Sequence, residues 1–475
     1  MSKVDGIFYG KWTVSTDDND FVLNGYLEMK NERKKHELTL YSDEYVKIKD
    51  KAELIFCKTM DGVAFTLYKC ILCRSSSSSI IHRKTNYIYR VHSHYMFVNA
   101  LFTSVEEIRF KEATFSVTNL DKWAHQDSID IKFNREAKTS NDALHTITTK
   151  QLESVVHENE QFKLQILYTV SPDYGHKSGK ELKVSANKQF HLIFRREVDI
   201  NTVHRIINKV MNFMTFCTSI SSYIEYINVF PYSQKADPIN LIAHVYGYAI
   251  DFCRNGTDKE NEMLLYSYLK LEDIKESFDK CMRNWFEKYD LLSPVIDLYM
   301  TTKYHRTSRE RFFLNVVQAA EAYHRLMRPQ KSRIPQSEFN QKRDEILASI
   351  PEAHRPWLKE KLHFANEMTL HERLNDLFTI DVDLDHPEGP RYYHLFRPLN
   401  TDKQRLIRDI KNTRNYNTHF PRALKKKAKK GEELSQLIDI LIVVLEYHLM
   451  TEIQVDKQKV LDICWERWCR IDHID

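Results

Sequence analysis

The chain has 475 residues, of which 42% are hydrophobic and 29% are charged, with only 10 glycines and 12 prolines. This composition predicts a folded protein of two or three domains and excludes a collagen-like or largely disordered chain. The net charge of +4 is too small to identify a nucleic-acid-binding protein, so such a function would require a local concentration of positive charge.

The first part of the chain predicts β-structure. The segment "FKLQILY", residues 162–168, alternates apolar and polar side chains, and the segments "SIDIKF" and "QFHLIF" are similar. The serine run Ser75–Ser79 predicts an exposed loop. From Asp199 to Met214 the apolar residues recur at helical spacing, and the segments 238–250 and 263–271 predict strands again. We therefore expect a β-sandwich or barrel with one inserted helix over residues 1–270.

The second part of the chain, residues 271–475, predicts an all-α bundle, so the fold class is α+β. Apolar residues recur at helical spacing in several segments. The predicted helices are 278–285, 312–327, 337–349, 355–378, 400–418 and 432–453.

The N-terminal segment, the longest apolar run and the cysteines predict a cytoplasmic protein without metal or cofactor. The N-terminal segment "MSKVDGIFYGKW" lacks the apolar core of a signal peptide, and the longest apolar run, residues 437–445, is too short to span a bilayer. Cys70 and Cys73 form a C-x-x-C without a second pair at zinc-finger spacing. Because they lie in a predicted strand, we interpret them as core thiols.

One segment carries the chemistry: "KNTRNYNTHFPRALKKKAKKG", residues 411–431. It contains Arg414, Asn415 and His419. The spacing of the arginine and the histidine is expected about once by chance in a chain of this composition, so the surrounding residues must support it. On a continuous helix these two side chains would diverge, but Pro421 predicts that the helix ends near His419, which would free the imidazole to turn toward Arg414.

A run of cations without an acid follows the motif. Phosphate groups would be attracted to this patch, although a lysine run by itself is more typical of a solvated loop. The candidate RNA-binding residues are Arg422, Lys425, Lys426, Lys427, Lys429 and Lys430.

The pattern R-N-x-x-x-H within an α-bundle resembles the signature of HEPN ribonucleases. The segment "QAAEAYHR", residues 318–325, resembles the acidic helix of the HEPN domain in ApeA-like anti-phage proteins, and "FYGKW", residues 8–12, resembles their N-terminal domain. This resemblance implies metal-independent RNA cleavage in which Arg414, Asn415 and His419 are catalytic. It also implies that Glu321 positions the arginine or the histidine, although a surface carboxylate is an equally good interpretation of that residue.

The resemblance further implies how the protein acts. HEPN enzymes dimerise so that two motifs face one another, so a homodimer or a higher even-numbered oligomer is expected. The substrate would be RNA, with transfer RNA suggested by analogy with other HEPN effectors, and the N-terminal domain would sense a phage-derived trigger. The expected role is an abortive-infection effector. The alternative is a non-catalytic HEPN module that binds RNA or dimerises in a defence or toxin-antitoxin complex.

Overall fold

A computed structural model describes most of the chain. The residues it describes are 6–15, 20–30, 35–46, 48, 52–78, 86–126, 128–133, 145–173, 183–231, 242–250, 268–328, 332–380, 382, 385–387, 389–392, 395 and 403–472. The chain divides into two compact units, Met1–Asp279 and Lys280–Asp475.

Six antiparallel strands of the first unit close a β-barrel. They are β1 (Gly6–Ser15), β2 (Asp20–Lys30), β3 (Lys35–Ser42), β4 (Leu54–Lys58), β5 (Ala64–Ser78) and β6 (Asn86–Val98). Their order is β1-β2-β3-β6-β5-β4, and the pairing of β4 with β1 completes the circle. Because side chains alternate along each strand, one set points inward and forms a core that includes Trp12, Leu27, Leu38 and Phe65.

The sheet continues beyond β6 through further strands. They are β7 (Phe110–Val117), β10 (Val155–Glu158), β11 (Phe162–Asp173), β12 (Lys183–Val198), β13 (Ile224–Pro231) and β14 (Ala243–Tyr246), while β8 (Ile129–Phe133) and β9 (His145–Thr149) form a separate hairpin. A short helix, α1 (Leu120–Trp123), follows β7. The inserted helix is α2 (Ile200–Thr218), whose first turn is capped by Asp199 accepting from the Thr202 backbone N–H at 2.8 Å. The predicted barrel-type domain with an inserted helix is confirmed.

Helices make up the rest of the structure. They are α3 (Leu271–Ile274), α4 (Phe278–Tyr289), α5 (Ser293–Tyr304), α6 (Arg309–Met327), α7 (Gln336–Ala348), α8 (Arg355–Leu362), α9 (Leu370–Leu377), α10 (Gly389–Tyr392), α11 (Lys403–His419), α12 (Gly431–Glu452) and α13 (Lys457–Asp472). The α+β fold class is confirmed. In the described part of the chain, only α12 is long and apolar enough to cross a membrane, and 78% of that stretch is buried inside the protein, as in a core helix.

Some predicted elements differ from the structure in the helical part. The predicted helix 355–378 is two helices, α8 and α9. A capping box begins α9, in which the Thr369 backbone N–H donates to Glu372 at 2.6 Å and the Thr369 hydroxyl accepts from the Glu372 N–H at 3.4 Å. Helices α5 and α13 were not predicted. The predicted strand 263–271 lies mostly outside the described residues, and its last residue, Leu271, begins α3.

Two predictions in the barrel are also wrong. The serine run Ser75–Ser79 was expected to be a loop, but Ser75–Ser78 extend β5 and pair with β6, while Ser79 lies outside the described residues. Cys70 is buried as expected, whereas Cys73 is exposed. Residues three apart on a regular strand point to opposite faces. The register of β5 shifts between Leu72 and Arg74, where Cys73 lies. Only Cys70 is therefore a core thiol, and the interpretation of Cys73 as one is wrong.

Candidate active site

The end of α11 presents the motif residues. The helix ends at His419 because Phe420 takes a left-handed conformation, with φ of 52°, and Pro421 disfavours helical geometry at that position. The Phe420 backbone N–H still donates to the Tyr416 carbonyl at 2.8 Å, which closes the last turn. The predicted helix end is confirmed, and His419 lies exposed at this end.

Arg414 is held by a carboxylate from another helix. Its Nη2 lies 3.9 Å from Oε2 of Glu321 on α6, and its Nη1 donates to the Asn415 side-chain oxygen at 3.3 Å. Both charged side chains are partly shielded from solvent, with 27% of Arg414 and 20% of Glu321 exposed. The structure therefore brings together three of the four predicted catalytic residues: Arg414, Asn415 and Glu321.

Glu321 is shared by two arginines. One of its oxygens lies 3.5 Å from Nη2 of Arg325, one helical turn away, and Arg325 in turn lies 3.4 Å from Glu367. Glu367 also approaches the buried Arg373 of α9 at 3.6 Å. This alternating row of charges links α6, α9 and the segment before α9 to the arginine of the motif. A carboxylate with several cationic partners is restricted in its rotamers, so Glu321 is suited to fix the position of Arg414.

His419 lies apart from this network. Among the described residues, its imidazole makes no hydrogen bond or ion pair, and Arg414 has no contact with it. Because α11 is helical through both residues, their side chains leave the axis about 140° apart. The predicted convergence of Arg414 and His419 within one chain is therefore wrong, and the arginine is paired with Glu321 instead.

Asn417 is a polar residue of the motif that the sequence reasoning missed. Its amide nitrogen is buried and has no hydrogen-bond partner within the described structure. It lies three residues after Arg414 on α11, so both side chains lie on the same side of the helix. An unpaired buried donor is costly, which makes a ligand acceptor at this position favourable. The signal was available in the sequence, because asparagine is as unfavourable in a helix interior at 417 as at 415.

The cationic segment after the motif divides into two groups. Lys425, Lys426 and Lys427 are exposed and follow the 3₁₀ turn Arg422–Leu424. Lys429 is instead bound by two carboxylates, with its Nζ 2.6 Å from Glu433 and 3.8 Å from Asp409.

The remaining two cations of this segment lie close to the motif in sequence. The Lys430 ammonium lies 5.9 Å from the centre of the Tyr416 ring, and Arg422 is exposed. Arg422 and the first three lysines are therefore available to phosphates.

A polar cluster that was not predicted contains two buried histidines, His324 and His448. His448 of α12 donates from Nε2 to the Leu377 carbonyl at 2.9 Å, and its Nδ1 accepts from Arg328 at 3.2 Å. Arg328 Nε and His324 Nε2 approach Asp376 Oδ2 at 3.1 and 3.4 Å. Burial lowers the pKa of His448 to about 3 and also lowers that of His324. The His448 imidazole is therefore neutral near pH 7, and the cluster joins α6, α9 and α12.

Two family models match the chain. Residues 7–285 match ApeA N-terminal domain 1, and residues 314–459 match the Apea-like HEPN domain. The chain belongs to the ApeA family. The ApeA-like HEPN match includes most of α6 and all of α11, and therefore Glu321, Arg414 and His419. Comparisons with curated proteins and with solved structures found no match.

Membership in the ApeA family places the chain among defence-related proteins with a HEPN nuclease domain, and HEPN domains are generally ribonucleases. Within the described ranges, no group of three or more His, Cys, Asp and Glu side chains is arranged to hold a metal ion.

Proposed function

We propose that this ApeA-family chain is a metal-independent endoribonuclease that acts as an abortive-infection effector in the cytoplasm. The observation that carries the proposal is the pairing of Arg414 with Glu321 inside the segment that matches the HEPN domain. The pairing fixes a cationic, five-donor side chain on the same helix that ends at the exposed histidine of the motif. These are the groups that cleavage of a phosphodiester requires.

Arg414 stabilises negative charge in the proposed reaction. The ribose 2′-hydroxyl attacks the adjacent phosphorus, the bond to the 5′-oxygen breaks, and the products carry a 2′,3′-cyclic phosphate and a 5′-hydroxyl. The transition state gathers charge on the phosphoryl oxygens, which a guanidinium can bind through two parallel N–H donors. The unpaired amide of Asn417 supplies a further donor on the same side of α11. Asn415 donates to the phosphate or keeps the guanidinium oriented.

His419 exchanges protons in this mechanism. An imidazole can take the proton of the 2′-hydroxyl or give one to the leaving 5′-oxygen. One histidine cannot do both at once. Its separation from Arg414 within one chain supports a composite site, in which two copies of the protein place their motifs face to face across a two-fold axis.

The N-terminal unit would control the nuclease. We propose that the β-barrel unit senses a phage-derived component and that the HEPN unit then cuts RNA until growth stops. Transfer RNA is the substrate suggested by analogy with other HEPN effectors.

Two measurements test the proposal. Expression of the wild type should arrest growth, and expression of His419→Ala should not. The purified protein should cleave RNA in excess EDTA and leave 2′,3′-cyclic phosphate ends. Activity that is lost on chelation and restored by magnesium or manganese would show that the mechanism is wrong. Equal toxicity of the wild type and His419→Ala, without cleavage, would favour the alternative of a non-catalytic RNA-binding or dimerisation module.

A further inference from the structure

A helical hairpin in the second unit has no core of its own. It consists of α7, a 3₁₀ turn at Glu352–His354 and α8, and none of these elements contains a buried residue. Helices in globular proteins usually bury an apolar stripe, and their stability comes mostly from that burial. The hairpin therefore contributes little to the folding of the unit, and its surface is available for binding.

The root of the hairpin is fixed next to the candidate active site. Ser332 and Glu367 form an antiparallel bridge, and the buried Asn366 accepts from the Ile334 backbone N–H at 3.1 Å and donates to the Ile334 carbonyl at 3.0 Å. Glu367 lies 3.4 Å from Arg325, which shares Glu321 with Arg414. The hairpin is thus joined to the arginine of the motif by consecutive ion pairs.

Two aromatic rings on the second arm of the hairpin are exposed. Trp357 is 62% exposed and Phe364 is 67% exposed, whereas Trp12, Trp123 and Trp468 are at most 3% exposed. Trp357, Lys361 and Phe364 are spaced i, i+4 and i+7, and His363 keeps α-helical backbone angles after α8 ends. The two rings and the ammonium group therefore lie along one side of the arm.

The charges on the two arms differ. On α7 the cations are neutralised within the helix, because Lys342 pairs with Glu338 at 2.6 Å and Arg343 with Asp344 at 2.9 Å. On α8 there are three cations and one carboxylate, Glu360, which only approaches Lys361 at 3.9 Å. Lys359 has no ion pair in the described residues. The second arm thus combines exposed aromatic rings with cations that are free to contact anions.

We propose that α8 and the two residues that follow it form an RNA-binding arm of the nuclease, on which unpaired bases stack against Trp357 and Phe364 while Lys359 and Lys361 contact the phosphates. The proposal rests on the proposed function, because it names the kind of RNA that the same site receives. Every base has a flat π-face, so stacking on aromatic rings is tolerant of sequence but requires a base outside a duplex. The arm therefore selects RNA with unpaired nucleotides, such as loops and single strands, and brings it to Arg414.

Binding can be measured separately from cleavage. His419→Ala keeps the RNA intact, and its affinity for single-stranded oligouridine is compared with that for the same strand annealed to oligoadenylate. We expect tighter binding of the single strand and quenching of tryptophan emission on binding. Adding Trp357→Ala should weaken the single-strand affinity about ten-fold or more and remove most of the quenching. Since Trp357 is mostly exposed, this change does not disturb packing.

Two matched variants separate stacking from other roles of the surface. Trp357→Phe should restore most of the affinity because a smaller aromatic ring still stacks. Ile346→Ala, on the first arm and 45% exposed, should change nothing because an aliphatic side chain offers no π-face. Equal affinity of the parent and Trp357→Ala would overturn the proposal. So would the conversion of an oligomer to a monomer by Trp357→Ala with RNA affinity unchanged, which would identify the arm as a self-association surface.

The failure of this proposal can be told apart from the failure of the proposed function. If the protein binds unpaired RNA through Trp357 but the wild type cleaves no RNA, the arm is confirmed and the nuclease mechanism is wrong. If the wild type cleaves RNA and Trp357→Ala leaves both KM and the single-strand affinity unchanged, the nuclease stands and the arm is wrong.

Discussion

At the scale of residues, the candidate site depends on the ion pair between Glu321 and Arg414. A carboxylate 3.9 Å from a guanidinium that is 27% exposed contributes little to stability, because solvent screens the pair. The ion pair instead orients the guanidinium of Arg414. Glu321 also competes with a phosphate for the same donors, so its removal has opposite effects on the position of the arginine and on the attraction of substrate.

We therefore expect Glu321→Gln to lower kcat about ten-fold or more, since a misplacement of about 1 Å can cost roughly 100-fold. KM should stay unchanged or fall, because the freed guanidinium gains access to phosphate. Steady-state cleavage at saturating RNA measures kcat, and a titration of the RNA substrate measures KM. Glu310→Gln, in the first turn of the same helix, is the matched control and should behave like the wild type. A rise in KM at constant kcat would contradict a positioning role.

The buried imidazole of His448 makes a prediction about pH. It donates to the Leu377 carbonyl and accepts from Arg328, so only the neutral form fits, and burial lowers its pKa to about 3. In the unfolded chain the pKa is about 6.5, so below that pH the unfolded state binds a proton that the folded state does not. The free energy of unfolding of the second unit should therefore fall as the pH falls from about 6.5 toward 3, by up to about 1.4 kcal/mol per pH unit.

Denaturant unfolding of the wild type and His448→Gln at several pH values between 7.5 and 4.5 checks this expectation. The variant should be less dependent on pH in the transition of the second unit. His36→Gln is the matched control: its imidazole is also buried with its pKa lowered to about 3, but it lies in the barrel and should affect only the transition of the first unit. The same pH slope in the parent and His448→Gln would contradict the assignment.

At the scale of elements, the segment between α11 and α12 has two kinds of lysine. Lys425, Lys426 and Lys427 are exposed, whereas Lys429 is held by Glu433 and Asp409 and its backbone N–H donates to Thr413 at 3.0 Å. The first group is available to phosphates. Lys429 instead stabilises the connection between the two helices.

Neutralising Lys425, Lys426 and Lys427 together to glutamine should weaken RNA binding and flatten its salt dependence. Each lost phosphate contact lowers the slope of log K against log salt by about 0.7 for single strands, so the slope should fall by up to about 2. Turnover of bound RNA should change little, because phosphate contacts position the substrate and the proton transfers occur elsewhere. Filter binding at low and high salt measures the slope. Lys429→Gln should leave the slope as it is, and an unchanged slope in the triple variant would mean that the lysines are only a solvated loop.

At the scale of the whole molecule, the proposed site is incomplete in one chain. Arg414 has Glu321 and Asn415 as partners, and His419 is exposed with no partner among the described residues. A dimer that places two motifs opposite one another would supply a second histidine and a second arginine.

Mixing inactive Arg414→Ala chains with inactive His419→Ala chains tests this arrangement. A heterodimer still contains one intact histidine and one intact arginine, so a shared site should recover part of the cleavage activity. Two independent sites would each lack an essential group, and the mixture would remain inactive. Light scattering at the assay concentration should give the mass of a dimer or of a larger even-numbered assembly. A fully active monomer would remove the reason to expect a shared site, and Glu321 would then be the first candidate for the second acid or base.

The sequence by itself determined the features that depend on local pattern. Alternating apolar residues predicted β8, β11 and β12, helical periodicity predicted α2, α6, α11 and α12, and Pro421 predicted the end of α11 at His419. The motif and its resemblance to the ApeA family could also be found without a structure, because they depend on residue types at short spacing. The capping-box residues Thr369 and Glu372 also indicate, in the sequence, that a new helix begins at α9. The apolar periodicity alone predicted one continuous helix.

Only the tertiary structure decided which distant residues meet. The closure of the barrel depends on β4 returning to β1, and no local pattern specifies that pairing. The ion pair between Arg414 and Glu321 joins helices 93 positions apart in the sequence (414 − 321), and the His448 cluster joins three helices. The exposure of Trp357 is likewise a property of the folded chain, since nothing packs over most of its ring. Burial and pairing depend on what packs against a side chain, and the chain specifies this only when it is folded.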